Sequence, residues 1–164
     1  MKRVIAALAV VVVVASIGTG VLIWRLHSQP ELPEISAYSR GQLTRVGPYR
    51  YCDVLDLDDC ETPETVGELA VSTRYPIQLS VPPAIAKAPW LLLRAYEDSE
   101  SPVVDEFRPD TRLAVTIPTV DAQYGKLTGF VVQLPTLVRD EAGNEFPLPH
   151  AEWSVRTVWP QPAP

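Results

Sequence analysis

The sequence predicts a mainly β protein with a membrane-spanning helix at its N-terminus, and three observations support this prediction. Residues 4–24 form an unbroken apolar run directly behind Lys2 and Arg3. All 17 prolines lie beyond residue 29, and proline is disfavoured inside helices and central strands. Between these prolines, short segments alternate apolar and polar side chains with a period of two, which is typical of half-buried strands.

The apolar run at residues 4–24 has the length of a transmembrane helix. At about 1.5 Å per residue it spans roughly 32 Å, close to the ~30 Å hydrocarbon core of a bilayer. Lys2 and Arg3 precede it and Trp24 suits the opposite interface, so the charge bias predicts a cytoplasmic N-terminus. We therefore expect a single-pass cell-membrane protein in which residues 1–27 form the anchor and the C-terminal domain is extracytoplasmic.

A cleaved signal peptide is the main alternative for this segment. Its apolar region would run from Val4 to about Ala15, and the small residues between Ser16 and Gly20 fit a cleavage site. Both interpretations export the remaining chain, whereas a cytoplasmic C-terminal part is a third possibility.

The composition predicts one folded domain C-terminal to the anchor. Residues 28–164 contain all 20 acidic residues and 11 of the 14 basic ones, so they carry a formal charge of −9. This negative charge argues against nucleic acid as a partner. Residues 28–39, with prolines 30 and 33, are predicted to form a tether, and residues 40–164 are predicted to form the folded domain.

About seven strands are predicted within the exported domain. They cover residues 43–54 with a break at Gly47-Pro48, 68–73, 76–82, 90–96, 112–118, 127–134 and 153–159. Alternation places three groups of apolar side chains each on one face of a strand: Ile77, Leu79 and Val81; Leu113, Val115 and Ile117, which are predicted to point inward; and Phe130, Val132 and Leu134. The continuously apolar residues 90–96 are predicted to form a central strand covered on both faces, and the acidic residues 97–100 and 105–106 are predicted to lie in a solvated loop. Residues 83–89 can form one helical turn, and residues 140–144 have turn chemistry. The number, length and spacing of the strands predict an antiparallel β-sandwich of immunoglobulin or fibronectin type.

Cys52 and Cys60, the two cysteines of the chain, are predicted to form a disulfide. They lie close together in the part expected to be exported, and an oxidising compartment favours the disulfide. A metal pair or a reactive thiol is the alternative, but zinc sites need closer cysteine spacing and further ligands.

An acidic loop at residues 53–64 is the strongest candidate for metal chemistry. It contains six carboxylates, which suit Ca²⁺, yet the spacing departs from that of an EF-hand loop. A solvated acidic loop explains the same residues, and we predict no metal site and no cofactor.

Catalytic signatures are weak in this sequence. His150 would have to serve as the base of any nucleophilic triad, and no G-x-S-x-G motif accompanies it. Trp90 is expected in the core, whereas Trp153 or Trp159 could form an aromatic binding surface. We therefore predict no catalytic residues and no enzymatic activity.

Several short motifs resemble those of an uncharacterised family of actinobacterial membrane or envelope proteins, with mycobacterial and corynebacterial members. These motifs are Tyr51-Cys-Asp53, Asp59-Cys60, Leu79-Ser-Val-Pro82, Ile85-Ala86, Pro89-Trp90 and Trp153-Ser-Val155. The resemblance implies an envelope setting and supplies no activity.

The leading functional hypothesis is a membrane-anchored binding or interaction module of the cell envelope. Residues 4–24 would contact the membrane, and the exported domain would contact an envelope protein, lipid or glycan. The alternatives are a small envelope enzyme or Ca²⁺-dependent module built on residues 53–64, and a structural assembly factor within a membrane complex.

Overall fold

The computed structural model describes residues 32–160, which form twelve strands and one short helix. The strands are β1 (Ile35–Ser39), β2 (Gln42–Val46), β3 (Arg50–Cys52), β4 (Cys60–Glu61), β5 (Val66–Ala70), β6 (Ile77–Ser80), β7 (Trp90–Tyr96), β8 (Val103–Phe107), β9 (Ala114–Ile117), β10 (Val120–Asp121), β11 (Gly125–Arg139) and β12 (Glu145–Val158). The helix α1 covers Pro83–Ala86. The predicted mainly β, mainly antiparallel architecture is confirmed.

The strands form two sheets. The small sheet has the order β2-β1-β6-β9, and the large sheet has the order β4-β3-β12-β11-β7-β8 with β10 and β5 added beside β11 and β12. Strand β5 pairs with β12 in parallel, whereas the other pairs are antiparallel. The predicted antiparallel arrangement is therefore found everywhere in the described residues except at this one pairing.

Both sheets contribute to one apolar core, and period-two alternation determines which side chains enter it. In the small sheet Ile77 and Leu79 are buried, as predicted. In the large sheet, the predicted inward face of β11 is confirmed. Its buried residues are Phe130, Val132 and Leu134.

The segment 35–39 was predicted as part of a tether and instead forms strand β1. It lies between β2 and β6 in the small sheet, with Ile35 and Ala37 fully buried. The prediction was wrong because the burial pattern of this segment does not follow its hydropathy: Ser39 is buried, whereas Tyr38 is exposed. Residues 1–27, and positions 28–31 of the tether, lie outside the described residues.

Three further predictions are corrected by the burial pattern. Leu113 is exposed just before β9 instead of pointing inward. Strand β7 is fully buried on one face only, since Leu91 and Leu93 are half-buried. Asp105 and Glu106 belong to strand β8 instead of a solvated loop, because Asp105 pairs with a cation of the neighbouring strand.

The predicted turn at residues 140–144 joins β11 to β12. Gly143 has a φ of 86°, a left-handed conformation that glycine adopts without steric cost. The Asn144 side chain and backbone donate hydrogen bonds to Asp140 and lower the pKa of that carboxyl group. The hairpin beyond the bulge at Leu134/Pro135 exposes Leu137 and Phe146.

Gly67 allows β5 and β2 to approach closely at one side of the sandwich. A Cβ atom at this position would overlap Cγ2 of Val46 and lie 3.4 Å from Cγ2 of Thr44. The Thr44 hydroxyl also donates a 2.9 Å hydrogen bond to the carbonyl of Glu68. This side of the sandwich is therefore closed by direct contact between β2 and β5.

We expect Gly67→Ala to destabilise the fold by about 2 kcal/mol, because the added methyl group would overlap the buried, β-branched Val46 side chain, whose χ1 is restricted. Urea unfolding measures the loss. Gly47→Ala is the matched control, since its Cβ would meet only Thr65 Oγ1 at 4.0 Å. A Gly67→Ala loss no greater than that of Gly47→Ala would contradict close packing between β2 and β5.

Candidate functional site

The side of the sandwich opposite Gly67 is open. Strand β8 ends the large sheet and β9 ends the small sheet. Between them lies a cavity of about 710 Å³, which we call the inter-sheet cleft. It is lined by Leu92, Arg94, Val104, Asp105, Glu106, Phe107, Arg112, Ala114, Val115, Thr116 and Ile117.

Arg94 lies on the inward face of β7, at a position where the period of the strand predicts an apolar side chain. The same face carries Trp90, Leu92 and Tyr96, all of which are buried. The Arg94 side chain is only 16% exposed. A guanidinium group is thus held at the edge of an apolar core, facing the cleft.

Asp105 neutralises this guanidinium group. Asp105 lies opposite buried Leu92 in the β7–β8 register, so its side chain is on the inner face of the sheet. There its carboxylate forms an ion pair with Nη2 of Arg94 at 2.9 Å. Nη1 of Arg94 donates to the hydroxyl oxygen of Tyr96 at 3.1 Å. The Asp105 side chain is 39% exposed, so the ion pair lies at the edge of the cleft and is partly in contact with water.

One hydrogen-bond donor of Arg94 has no acceptor. Its Nε atom is buried and has no hydrogen-bond partner among the described residues. A buried donor without an acceptor costs about 1–3 kcal/mol. Because this atom has no contact with solvent, a ligand in the cleft would meet the exposed part of the Arg94 side chain and not Nε itself.

The floor of the cleft is formed by apolar side chains. Phe107 stacks on Trp90 with 4.1 Å between ring centroids and an interplanar angle of 21°. Val115 and Ile117 of β9 line the same cleft. The cleft therefore presents both apolar and charged side chains to a ligand.

Cys52 of β3 and Cys60 of β4 lie opposite each other in the strand register, and they form a disulfide. In the loop between them, Asp53 accepts a hydrogen bond from the backbone of Leu55, and Asp56 accepts one from Asp58. These carboxylates stabilise turns. Within residues 32–160, no three His, Cys, Asp or Glu side chains are grouped so that they could hold a metal ion.

His150 and the three tryptophans of the described residues are fully or partly buried. His150 is buried and its Nδ1 donates to the carbonyl oxygen of Cys52 at 3.2 Å. Trp90 is fully buried, as predicted. Trp153 is also fully buried, so the hypothesis that it forms a binding surface is wrong. Trp159 is half-buried, and its indole donates to the carbonyl of Leu127 at 2.9 Å.

Sequence reasoning missed the inter-sheet cleft, although one signal for Arg94 was present. In the run Trp90 to Tyr96, residues 90, 92, 94 and 96 share a face, and only the third of them is charged. A charge at an inward position requires a partner. That partner, Asp105, could not be found from the sequence because nothing in it shows that β8 pairs with β7.

The predicted membrane segment, residues 4–24, lies outside the described residues. From residue 32 to residue 160, no helix combines the length and the apolar character required to cross a bilayer.

Comparison with known proteins finds mycobacterial proteins that are similar to this chain over nearly its full length. "Uncharacterized protein Rv0875c" of Mycobacterium tuberculosis is 59% identical over 163 residues, which covers 97% of this chain and 100% of the relative. "Uncharacterized protein Mb0899c" of Mycobacterium bovis matches with the same identity and coverage. No solved structure matches the chain.

A family model described as "Protein of unknown function (DUF2771)" matches residues 28–158, which is most of the chain. The mycobacterial relatives agree with the actinobacterial setting that the cysteine and tryptophan motifs implied. The chain therefore belongs to the DUF2771 family of proteins of unknown function.

Proposed function

We propose that this protein is a non-enzymatic binding or interaction module of the cell envelope, and that its ligand occupies the inter-sheet cleft. The observation that carries the proposal is the Arg94–Asp105 pair, which lies between an apolar floor and the opening of the cleft. An ion pair at the edge of an apolar core, with a partly exposed carboxylate, can recognise a polar group that enters the cleft.

The proposal includes an immunoglobulin- or fibronectin-like sandwich held outside the cytoplasm by residues 4–24. Two sheets that share one core support this fold type, although the parallel β5–β12 pair departs from it. The Cys52–Cys60 disulfide supports an oxidising compartment, because disulfides are rare in reducing cytosol. The apolar run at residues 4–24 supports the anchor.

Photo-crosslinking in intact cells tests whether the cleft is occupied. Val104 of β8 and Ala114 of β9 both line the cleft and are exposed on its two edge strands, so a photoreactive amino acid at either position would lie at the rim of the cleft. Leu43 is the matched control, because it is exposed on β2, the opposite edge of the small sheet. We expect specific adducts from Val104 and Ala114 that are absent from Leu43.

Adduct patterns that do not distinguish the three positions would contradict the proposal, and so would the absence of adducts at both cleft positions. Either result would show that the cleft is not the contact surface. The folded state of each variant is checked beforehand by its thermal unfolding transition.

A further inference from the structure

We propose that the ligand of the inter-sheet cleft is an extended polypeptide segment of a partner protein, which adds as a strand to the free edge of β8. This inference rests on the proposed function, because it names the class of ligand that the same cleft takes. Strand addition is an established mode of peptide recognition, in which backbone hydrogen bonds provide affinity and alternate side chains provide specificity.

Both sides of the cleft are strand edges without a partner. In the described part of the chain, β8 pairs only with β7, and β9 pairs only with β6. On the other side of the sandwich, β5 and β2 are in direct contact through Gly67 and Val46. The sandwich is therefore closed at one side and lacks a connecting strand at the other.

The charges of the lining favour a peptide over an acyl chain. Four of the eleven lining residues are charged, two of each sign: Arg94 and Arg112 against Asp105 and Glu106. An acyl chain would remove water from these groups without replacing their hydrogen bonds, which is costly. A peptide strand brings its own donors and acceptors, which can replace the hydrogen bonds that these groups lose to water.

The charge on β8 also argues against a second copy of this chain as the occupant. If two β8 strands paired about their centre in antiparallel register, the Asp105 carboxylates would face each other directly. Like charges placed opposite each other in a sheet are destabilising, and an inward-pointing charge on an edge strand opposes self-association. A different chain is required.

The chemistry of the partner strand follows from the cleft. Its inward side chains should be apolar to contact Phe107 and Ile117, with one acceptor beside Arg94. Its outward side chains should include Lys or Arg to pair with Glu106. Five residues of β8 offer a pairing length of about 17 Å, so we expect a partner segment of five to seven residues.

The test begins with the adducts formed in cells at Val104 and Ala114. Their chemical class is determined by mass spectrometry, and a crosslinked peptide is synthesised and titrated against the full-length protein. Hydrogen exchange then compares β8 with β2, the edge strand at the far end of the other sheet. We expect exchange of amides in residues 103–107 to slow about tenfold or more when the peptide is bound, and exchange in residues 42–46 to remain unchanged.

N-methylation of the synthetic peptide, one backbone nitrogen at a time, provides the decisive readout. Strand addition uses alternate amides, so we expect each methyl group on the side facing β8 to weaken binding about tenfold and those on the other side to be tolerated. This alternation would support the inference without any change to the protein.

Adducts that are lipid or glycan would overturn the inference while leaving the cleft as a binding site. A peptide whose affinity is insensitive to N-methylation, or whose binding leaves exchange in β8 unchanged, would overturn it as well. The absence of any specific adduct at Val104 and Ala114 would overturn the proposed function itself.

Discussion

Trp153→Ala is expected to destabilise the protein by about 3–5 kcal/mol, a large part of the stability of an ordinary domain. Trp153 is fully buried and contacts Tyr51 edge to face, with 6.1 Å between the ring centroids. Its indole nitrogen donates a 2.7 Å hydrogen bond to the carbonyl of Pro33, which holds the segment that leads into β1. The substitution removes the ring and this bond together. Urea unfolding followed by circular dichroism measures the loss.

Phenylalanine substitutions separate the two contributions. Trp153→Phe keeps an aromatic ring but leaves the Pro33 carbonyl without its donor. Trp90→Phe is the matched control, because Trp90 is equally buried and its indole nitrogen has no partner in the described part of the protein. We expect Trp153→Phe to cost at least about 1 kcal/mol more than Trp90→Phe. Equal costs would show that the Pro33 bond contributes nothing.

Loss of the disulfide is the second large effect that we expect. The Cys52–Cys60 bond closes a loop of nine residues and joins edge strand β4 to β3. By the chain-entropy estimate, the double variant Cys52→Ala/Cys60→Ala should lose roughly 2.5 kcal/mol, because its unfolded state gains freedom. Chemical denaturation of oxidised and reduced protein measures the difference.

The double variant also supplies the control for this experiment. Reductant should lower the stability of the native protein toward that of the double variant and should leave the double variant unchanged. A native protein whose unfolding midpoint does not respond to reductant would contradict a stabilising role for the disulfide.

The sequence was sufficient to predict strands wherever alternation ended at prolines. Residues 76–82 and 112–118 contain β6 and β9, and residues 83–89 contain the single helical turn α1. The predicted break at Gly47-Pro48 separates β2 from β3. In these segments local chemistry and tertiary environment agree, because one side of each strand is buried and the other is exposed.

Strands β1 and β8 could not be predicted because their character depends on distant partners. The burial of Ala37 and Ser39 follows from the position of β1 between two other strands. Asp105 is tolerated on the inner face because Arg94 neutralises it. The inter-sheet cleft is determined by which strands remain at the sheet edges, and that information lies in the topology.

Strand β12 is made after its neighbours β3 and β5, yet it lies between them and β11 in the large sheet. Ala151 pairs with Tyr51, about a hundred residues earlier in the chain. During synthesis, β5 and the edge of β3 that is not bonded to β4 therefore have no partner in the large sheet until residues 145–158 have been translated. Contacts of such long range slow folding to milliseconds or seconds, and unpaired edges favour aggregation. The large sheet can therefore be completed only after nearly the whole chain has been synthesised.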